Sequence, residues 1–135
     1  MKKTVSEKKV PVYLSKISRE TFDKLKEQIL QVVVVEKKYR DPNFTARKLA
    51  EILNTNTRYV SIVLKVRYHA NYSQFVNRLR IEEAMTLLVD KRYHNLRVEE
   101  ISDMVGFANR QSFYRAFLST TGMTPRQYQE SNGQC

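Results

Sequence analysis

The stretch VEEISDMVGFANRQSFYRAFL, residues 98–118, decides the fold. Val98, Ile101, Met104 and Val105 recur at helical spacing and define a short apolar face that Gly106 ends. Asn109 then offers an N-cap for a second helix with Phe113, Ala116 and Phe117 inward. The same pattern occurs upstream. Leu49 matches Ile101, Leu53 matches Val105 and Asn54 matches Gly106 at an offset of 52, and Val60 matches Phe113 and Leu64 matches Phe117 at 53. The second turn is one residue longer than the first. A helix, a turn with Asn or Gly at its left-handed position and a second helix form the arrangement that places one helix in a DNA major groove. A plain pair of helical hairpins is the competing reading of the same spacing.

Working outward, Thr45 caps a helix carrying Leu49, Ile52 and Leu53, and Asn56 or Thr57 caps the next, with Tyr59, Val60, Val63 and Leu64 inward. Asn71 and Gln74 resemble a capping box opening a longer helix that bears Phe75, Val76, Leu79, Ala84, Leu87 and Leu88. From Ser73 to Val89 it would span about 26 Å, the length of a strut. Ahead of the repeat, Ser18 offers an N-cap, and Phe22, Leu25, Ile29 and Val33 mark one face of a helix ending before Asp41-Pro42. The four valines at 32–35 alone would favour a strand, but the longer spacing favours helix. The expected architecture is all-α: two helix-turn-helix subdomains joined by a linker helix and preceded by an N-terminal basic helix. Its boundaries are a basic flexible tail over 1–17, the N-terminal helix over 18–43, the double unit over 44–131, and a short tail over 132–135. Within the double unit, 44–68 is the first unit, 71–90 the linker helix and 97–129 the second unit. In the tail, Val10, Val12 and Leu14 are candidates for local docking.

Composition agrees with one small helical protein. At 135 residues, 41% hydrophobic and 28% charged, the chain has apolar content for a core, and wholesale disorder is not expected. Three glycines and three prolines leave little material for tight β-turns or a glycine-rich phosphate loop. The 24 Lys and Arg outnumber the 14 Asp and Glu, and the net charge of +10 favours a polyanionic partner. Residues 1–40 carry +6 of that charge, so the front of the chain reads as a basic appendage. The lone Cys135 permits no internal disulfide framework. The run from Ile29 to Val35 falls far short of the roughly 20 residues needed to cross a bilayer, and the charged stretch after Met1 lacks a signal-peptide core. No membrane association is expected, and the cytoplasm is the expected location.

If both second helices enter grooves, subtracting their inward residues leaves the DNA-binding candidates. In the first helix these are Thr57, Arg58, Ser61, Ile62 and Lys65; in the second, Arg110, Gln111, Tyr114, Arg115 and, at its margin, Leu118. Arg can bond guanine O6 and N7 together, and Gln can do the same at adenine N6 and N7, so the second set is the better base reader. An outward Ile62 would meet a thymine methyl or exclude water; the alternative is a core position. Helix N-termini near Thr45, Asn56 and Asn109 are phosphate-contact candidates, because their free N–H groups and positive dipole favour anions. Lys48, Arg78, Arg80, Arg92 and Arg97 add charge, although Arg80, beside Glu82 and Glu83, is equally placed for a structural salt bridge. His69 and His94 have no second metal-type ligand at a suitable spacing, and no nucleophile elbow or paired-carboxylate motif is present. No metal, cofactor or catalytic residue is expected, and the chain does not read as an enzyme.

These residues carry a resemblance. Val98-Glu-Glu-Ile-Ser-Asp-Met-Val-Gly-Phe107, Ser112-Phe-Tyr-Arg-Ala-Phe117 and Thr121-Gly-Met-Thr-Pro-Arg-Gln-Tyr128 resemble the signature of the AraC/XylS family of bacterial transcription regulators. That signature has an Ile-Ala helix, a Val-Gly-Phe turn, a Phe-x-Arg-x-Phe helix and a Gly-x-Thr-Pro-x-x-Tyr ending. Leu49-Ala50, Tyr59-Val60-Ser61, Arg80-Ile81-Glu82-Glu83-Ala84 and Leu87-Leu88 fall where the family has its first motif and linker helix. The resemblance implies sequence-specific binding to double-stranded promoter DNA, recruitment of RNA polymerase, and recognition helices at about 57–65 and 109–118 in successive major grooves. It also implies that Arg115 contacts a base or the backbone. Ile62 stands where the family commonly has Arg, His69 where it usually has Gly, and Gln129 where Arg usually follows the final Tyr. Most members also carry a ligand-binding or dimerising domain; no small-molecule effector site is expected within this chain. The alternative function is a basic helical adaptor that binds a protein partner or RNA through the apolar-basic first helix, without DNA sequence specificity.

Overall fold

The computed structural model describes residues 17–132. The expectations for residues 1–16, with Val10, Val12 and Leu14, and for residues 133–135, with Cys135, lie outside the described residues. Seven α-helices and no strand occupy the described residues: α1 (Arg19–Ile29), α2 (Ala46–Ile52), α3 (Thr57–Tyr68), α4 (Tyr72–Val89), α5 (Val98–Val105), α6 (Arg110–Thr121) and α7 (Pro125–Ser131). The expected caps form. Ser18, Thr45, Asn71 and Asn109 each accept the N–H three residues on, and Asn56, not Thr57, does so for α3. The Asn71 backbone also donates to the Gln74 side chain at 2.9 Å, which completes the capping box.

The repeat runs further than its apolar positions indicate. Asn54 and Gly106 both take a left-handed backbone, as do His69 and Gly122 at the ends of α3 and α6. Asn71 and Thr124, 53 residues apart, cap the helices that follow, each in a capping box with Gln74 or Gln127. Each copy is therefore three helices, and His69 makes the same turn as a glycine at some conformational cost. Gln129 also fits its position: its amide donates to the Leu88 carbonyl at 3.1 Å and ties α7 to the end of α4.

Two apolar cores lie along α4. The first gathers Leu49, Ala50, Val60, Val63 and Leu64 with Phe75 and Val76; the second gathers Ile101, Val105, Phe107, Phe113 and Phe117 with Ile81, Ala84, Leu87 and Leu88. Because both cores press on α4, its buried residues do not keep to one stripe, and Arg80 and Ile81 are buried beyond those its periodicity identifies. Ile52 and Met104, read as inward, are exposed. The buried stripe of each short helix is centred among Leu49, Ala50 and Leu53 or Ile101, Ser102 and Val105, and Ile52 and Met104 lie about 100° around the helix from it.

The N-terminal segment is built into the first core. Leu25, Ile29, Val32, Val33 and Tyr39 are buried there, and α1 packs on α3. Its helix does not reach Arg40 as an α-helix. After Ile29 the chain widens into a π-helical stretch over Leu30–Val35, with Glu36 donating to the Gln31 carbonyl, and Lys37 in the left-handed region ends it. A 3₁₀ turn, Lys38–Arg40, then crosses to the second unit.

That crossing depends on Arg80, which lies in the sequence between the residues of α4 that enter the two cores. Its guanidinium donates to the Tyr39 carbonyl at 2.6 Å, the Asp41 carbonyl at 3.3 Å and Asn77 Oδ1 at 3.3 Å, and lies 5.6 Å from the Phe107 ring centre. Of the two placements open to it, a helical salt bridge or a phosphate contact, Arg80 takes up neither geometry: it is buried among backbone carbonyls. Burial lowers its pKa, although guanidinium remains charged in proteins. Glu83, one turn on, accepts from the Tyr39 hydroxyl at 2.9 Å and from Arg40, with Lys37 at 3.9 Å. Burial works to raise the Glu83 carboxyl, but hydrogen bonds from Arg40 and Tyr39 outweigh it and hold the group below the ordinary carboxylate range. Burial, followed by the Glu83 contact, pushes Tyr39 up to about 12.

Gly106 receives the Lys38–Arg40 turn, which lies across α4 as a strap. A Cβ there would lie 2.4 Å from the Tyr39 carbonyl oxygen and 2.8 Å from the Arg40 backbone, and φ is +111°. At Gly122, φ is +78° and no atom lies within 4 Å of such a Cβ. Gly106→Ala is expected to cost about 3 kcal/mol in urea unfolding, against about 1 kcal/mol for Gly122→Ala. Equal costs would show that the strap yields freely. Ser102, in the buried stripe of α5, has a hydroxyl with no hydrogen-bond partner among the described residues, and the equivalent residue in the first unit is Ala50. Ser102→Ala is expected to raise stability by about 1 kcal/mol; a lower urea midpoint would refute this.

Candidate nucleic-acid interface

The second helix of each unit buries one face and leaves the other open. In α6, Phe113 and Phe117 are fully buried, the latter edge-on to Tyr128 at 5.6 Å, whereas Arg110, Gln111, Arg115 and Leu118 are exposed. Tyr114 is half-buried, its ring edge-on to Phe113 at 5.9 Å, so part of its surface belongs to the core. In α3, Val60, Val63 and Leu64 are fully buried, while Thr57, Arg58, Ser61 and Lys65 are exposed.

Ile62 departs from its expected outward placement, with only 4% of its surface exposed. It lines a groove of about 350 Å³ with Arg58, Ser61, Lys65, Ala70 and Asn71. Ala70, itself buried, and Asn71 of the α3–α4 turn line the same groove, and sequence spacing within α3 carries no signal that the turn comes so near. The first helix thus leaves Arg58 exposed and holds an aliphatic residue at the position matching Arg115.

Thr45, Asn56 and Asn109, the phosphate-contact candidates, each use the side-chain oxygen to cap their own helix, at 3.2, 2.9 and 2.8 Å. What they offer a phosphate is the positive helix end and its N–H groups. Among the supplementary cations, Lys48 and Arg78 are exposed, Arg92 pairs with Asp90 at 2.7 Å, and Arg97 lies 3.7 Å from Glu100. Arg110 lies 3.5 Å from Glu99, a partner its reading as an outward DNA-binding candidate did not include. Among the described residues, no group of three His, Cys, Asp or Glu could hold a metal ion, and no helix is long and apolar enough to cross a membrane.

Comparison with known proteins identifies this arrangement. A family model described as a helix-turn-helix domain matches residues 49–131. The chain is 34% identical over 87 residues to YobQ, an HTH-type transcriptional regulator of Bacillus subtilis, an alignment covering 64% of this chain and 35% of YobQ. It is 31% identical over 70 residues to the transcriptional activator AggR of Escherichia coli, covering 50% of this chain and 25% of AggR. Among solved structures, the C-terminal domain of the two-component response regulator yesN from Fusobacterium nucleatum aligns with a TM-score of 0.68 and 31% identity, over 77% of this chain and 96% of that one. The chain belongs to the AraC-type helix-turn-helix family, and carries a DNA-binding domain of transcription regulators, not an enzyme. It spans about a third or less of the length of these two curated relatives.

The burial of Ile62 separates folding from reading. Ile62→Ala is expected to lower stability by about 2–4 kcal/mol and to leave base preference unchanged when binding is corrected for the folded fraction. A changed preference at one base pair, with stability retained, would return Ile62 to the reading face.

Proposed function

We propose that the chain binds promoter DNA sequence-specifically, with α3 and α6 inserted into successive major grooves on one face of the duplex. The observation that carries this reading is the polar face of α6: Arg110, Gln111 and Arg115 stand exposed on a helix anchored from behind by fully buried Phe113 and Phe117. An anchored helix holds its side chains in register with base edges, and Arg and Gln have the paired donors and acceptors that discriminate guanine and adenine. Arg58 and Lys65, with Thr57 and Ser61, contribute the first contact surface, and the ends of α2, α3 and α6 position the protein on phosphates. Two units in one chain cover neighbouring grooves about 34 Å apart without dimerisation. Recruitment of RNA polymerase belongs to the same proposal, as does action in the cytoplasm. The adaptor reading loses support because the apolar face of α1 is spent in the first core and is not open to a partner.

Selection from a random duplex pool, followed by titration across salt concentrations, tests the reading. The selected duplex should bind at least about 10³-fold more tightly than random DNA, with affinity falling steeply as salt rises. Arg115→Ala should lose about 1–3 kcal/mol and relax preference at one base pair. A loss uniform across sequences would make Arg115 a phosphate contact. Equal affinity for every duplex would reject sequence-specific regulation.

A further inference from the structure

The two units share a backbone pattern but not a charge. Residues 44–71 contain five Lys or Arg and one Glu, whereas the matching residues 96–124 contain three Arg and three acids, so one unit carries +4 and the other is neutral. The difference concentrates at the first helix of each unit. Arg47 and Lys48 in α2 correspond to Glu99 and Glu100 in α5. Glu100 is occupied by the backbone N–H of Arg97 at 2.8 Å. Glu99 instead reaches across the turn, its Oε2 3.5 Å from Nε of Arg110, the first residue of α6. The Arg110 side chain is 66% exposed and that of Glu99 36%. In the first unit the matching positions are Arg47 and Thr57, so this pair has no counterpart there.

The contact is made through Nε. A guanidinium has five N–H donors in a fixed fork, and an ion pair whose near approach, 3.5 Å, is at Nε leaves the terminal nitrogens for an end-on pair of bonds to guanine O6 and N7. The Glu99 carboxylate, in the first turn of α5, has its negative charge favoured by the positive helix end. Attraction to random DNA, in contrast, depends on free cations that replace condensed counterions at phosphates. A cation held by a carboxylate contributes less to that attraction while keeping its fork for a base.

We propose that Glu99 is a positioning residue that sets specificity: it orients Arg110 for a base edge and cancels its pull on phosphates, leaving bulk electrostatic attraction to the first unit. This rests on the DNA-binding reading above. Glu99→Gln keeps the shape and removes the charge. Asp103→Asn removes the same charge one turn further along α5, from an exposed residue that is not paired with Arg110, and serves as the comparison.

The experiment measures affinity for the selected duplex and for a random duplex over a range of salt concentrations, using both variants alone and in an Arg110→Ala background. Glu99→Gln should tighten random-duplex binding several-fold at low salt and steepen its log–log salt slope by about 0.9, the increment for one added phosphate contact. Its selected-to-random ratio should fall well below that of Asp103→Asn. In the Arg110→Ala background, the two variants should become indistinguishable. Equal behaviour of Glu99→Gln and Asp103→Asn with Arg110 present would overturn the proposal, as would an excess effect that survives the loss of Arg110. A wild-type protein with no preferred duplex would instead overturn the DNA-reading proposal itself, so the two failures are told apart.

Discussion

The arrangement of the molecule depends on one buried guanidinium. Arg80 is flanked in α4 by Val76, which enters the first core, and Ile81, which enters the second, and its hydrogen bonds to the carbonyls of Tyr39 and Asp41 draw the N-terminal strap across that helix. A buried charge is tolerated only where its donors are satisfied, and here backbone oxygens supply the partners. The strap in turn lies so close to Gly106 that the turn of the second unit has no room for a side chain. Three segments far apart in the chain therefore meet at one point: the end of the N-terminal helical segment, the middle of the linker helix and the turn between α5 and α6. Glu83 reinforces the junction by holding Tyr39 and Arg40 on the adjacent turn of α4.

This junction gives the N-terminal segment a second role. Its apolar face completes the first core, while its end rests on the second unit, so one continuous stretch touches both helix-turn-helix units. Displacement of that stretch would expose apolar surface on one side and unpair Arg80 on the other.

Against that shared frame, the repeat is conservative in backbone and divergent in surface. Asn54 and Gly106, and His69 and Gly122, take the same left-handed turns, and matching caps open the helices that follow. Backbone geometry must be kept because each turn decides how its helices pack. Exposed side chains are under no such constraint, which allows Arg47 to correspond to Glu99 and Thr57 to Arg110. Similar scaffolds consequently carry different surface chemistry.

Periodicity was enough to read α2 to α6, the start of α1, the caps at Ser18, Thr45, Asn71 and Asn109 and the duplication, because each depends on residues within a few positions of one another: Asn109 caps its own helix, and Phe113 and Phe117 share a face by helical spacing. The family resemblance was legible for the same reason, as its signature is local. The polar face of α6 followed by subtraction. What sequence alone left open or did not foresee are the residues whose surroundings come from elsewhere in the chain. Ile62 is buried beside a groove shared with the α3–α4 turn, Arg80 is buried against the strap, Arg110 finds Glu99 across a turn, and the supposed basic appendage contributes part of the first core. Hydrogen-bonded turns and helix faces are set by near neighbours and can be read from order alone; burial and pairing are set by whichever distant segment arrives, and only the folded chain decides that.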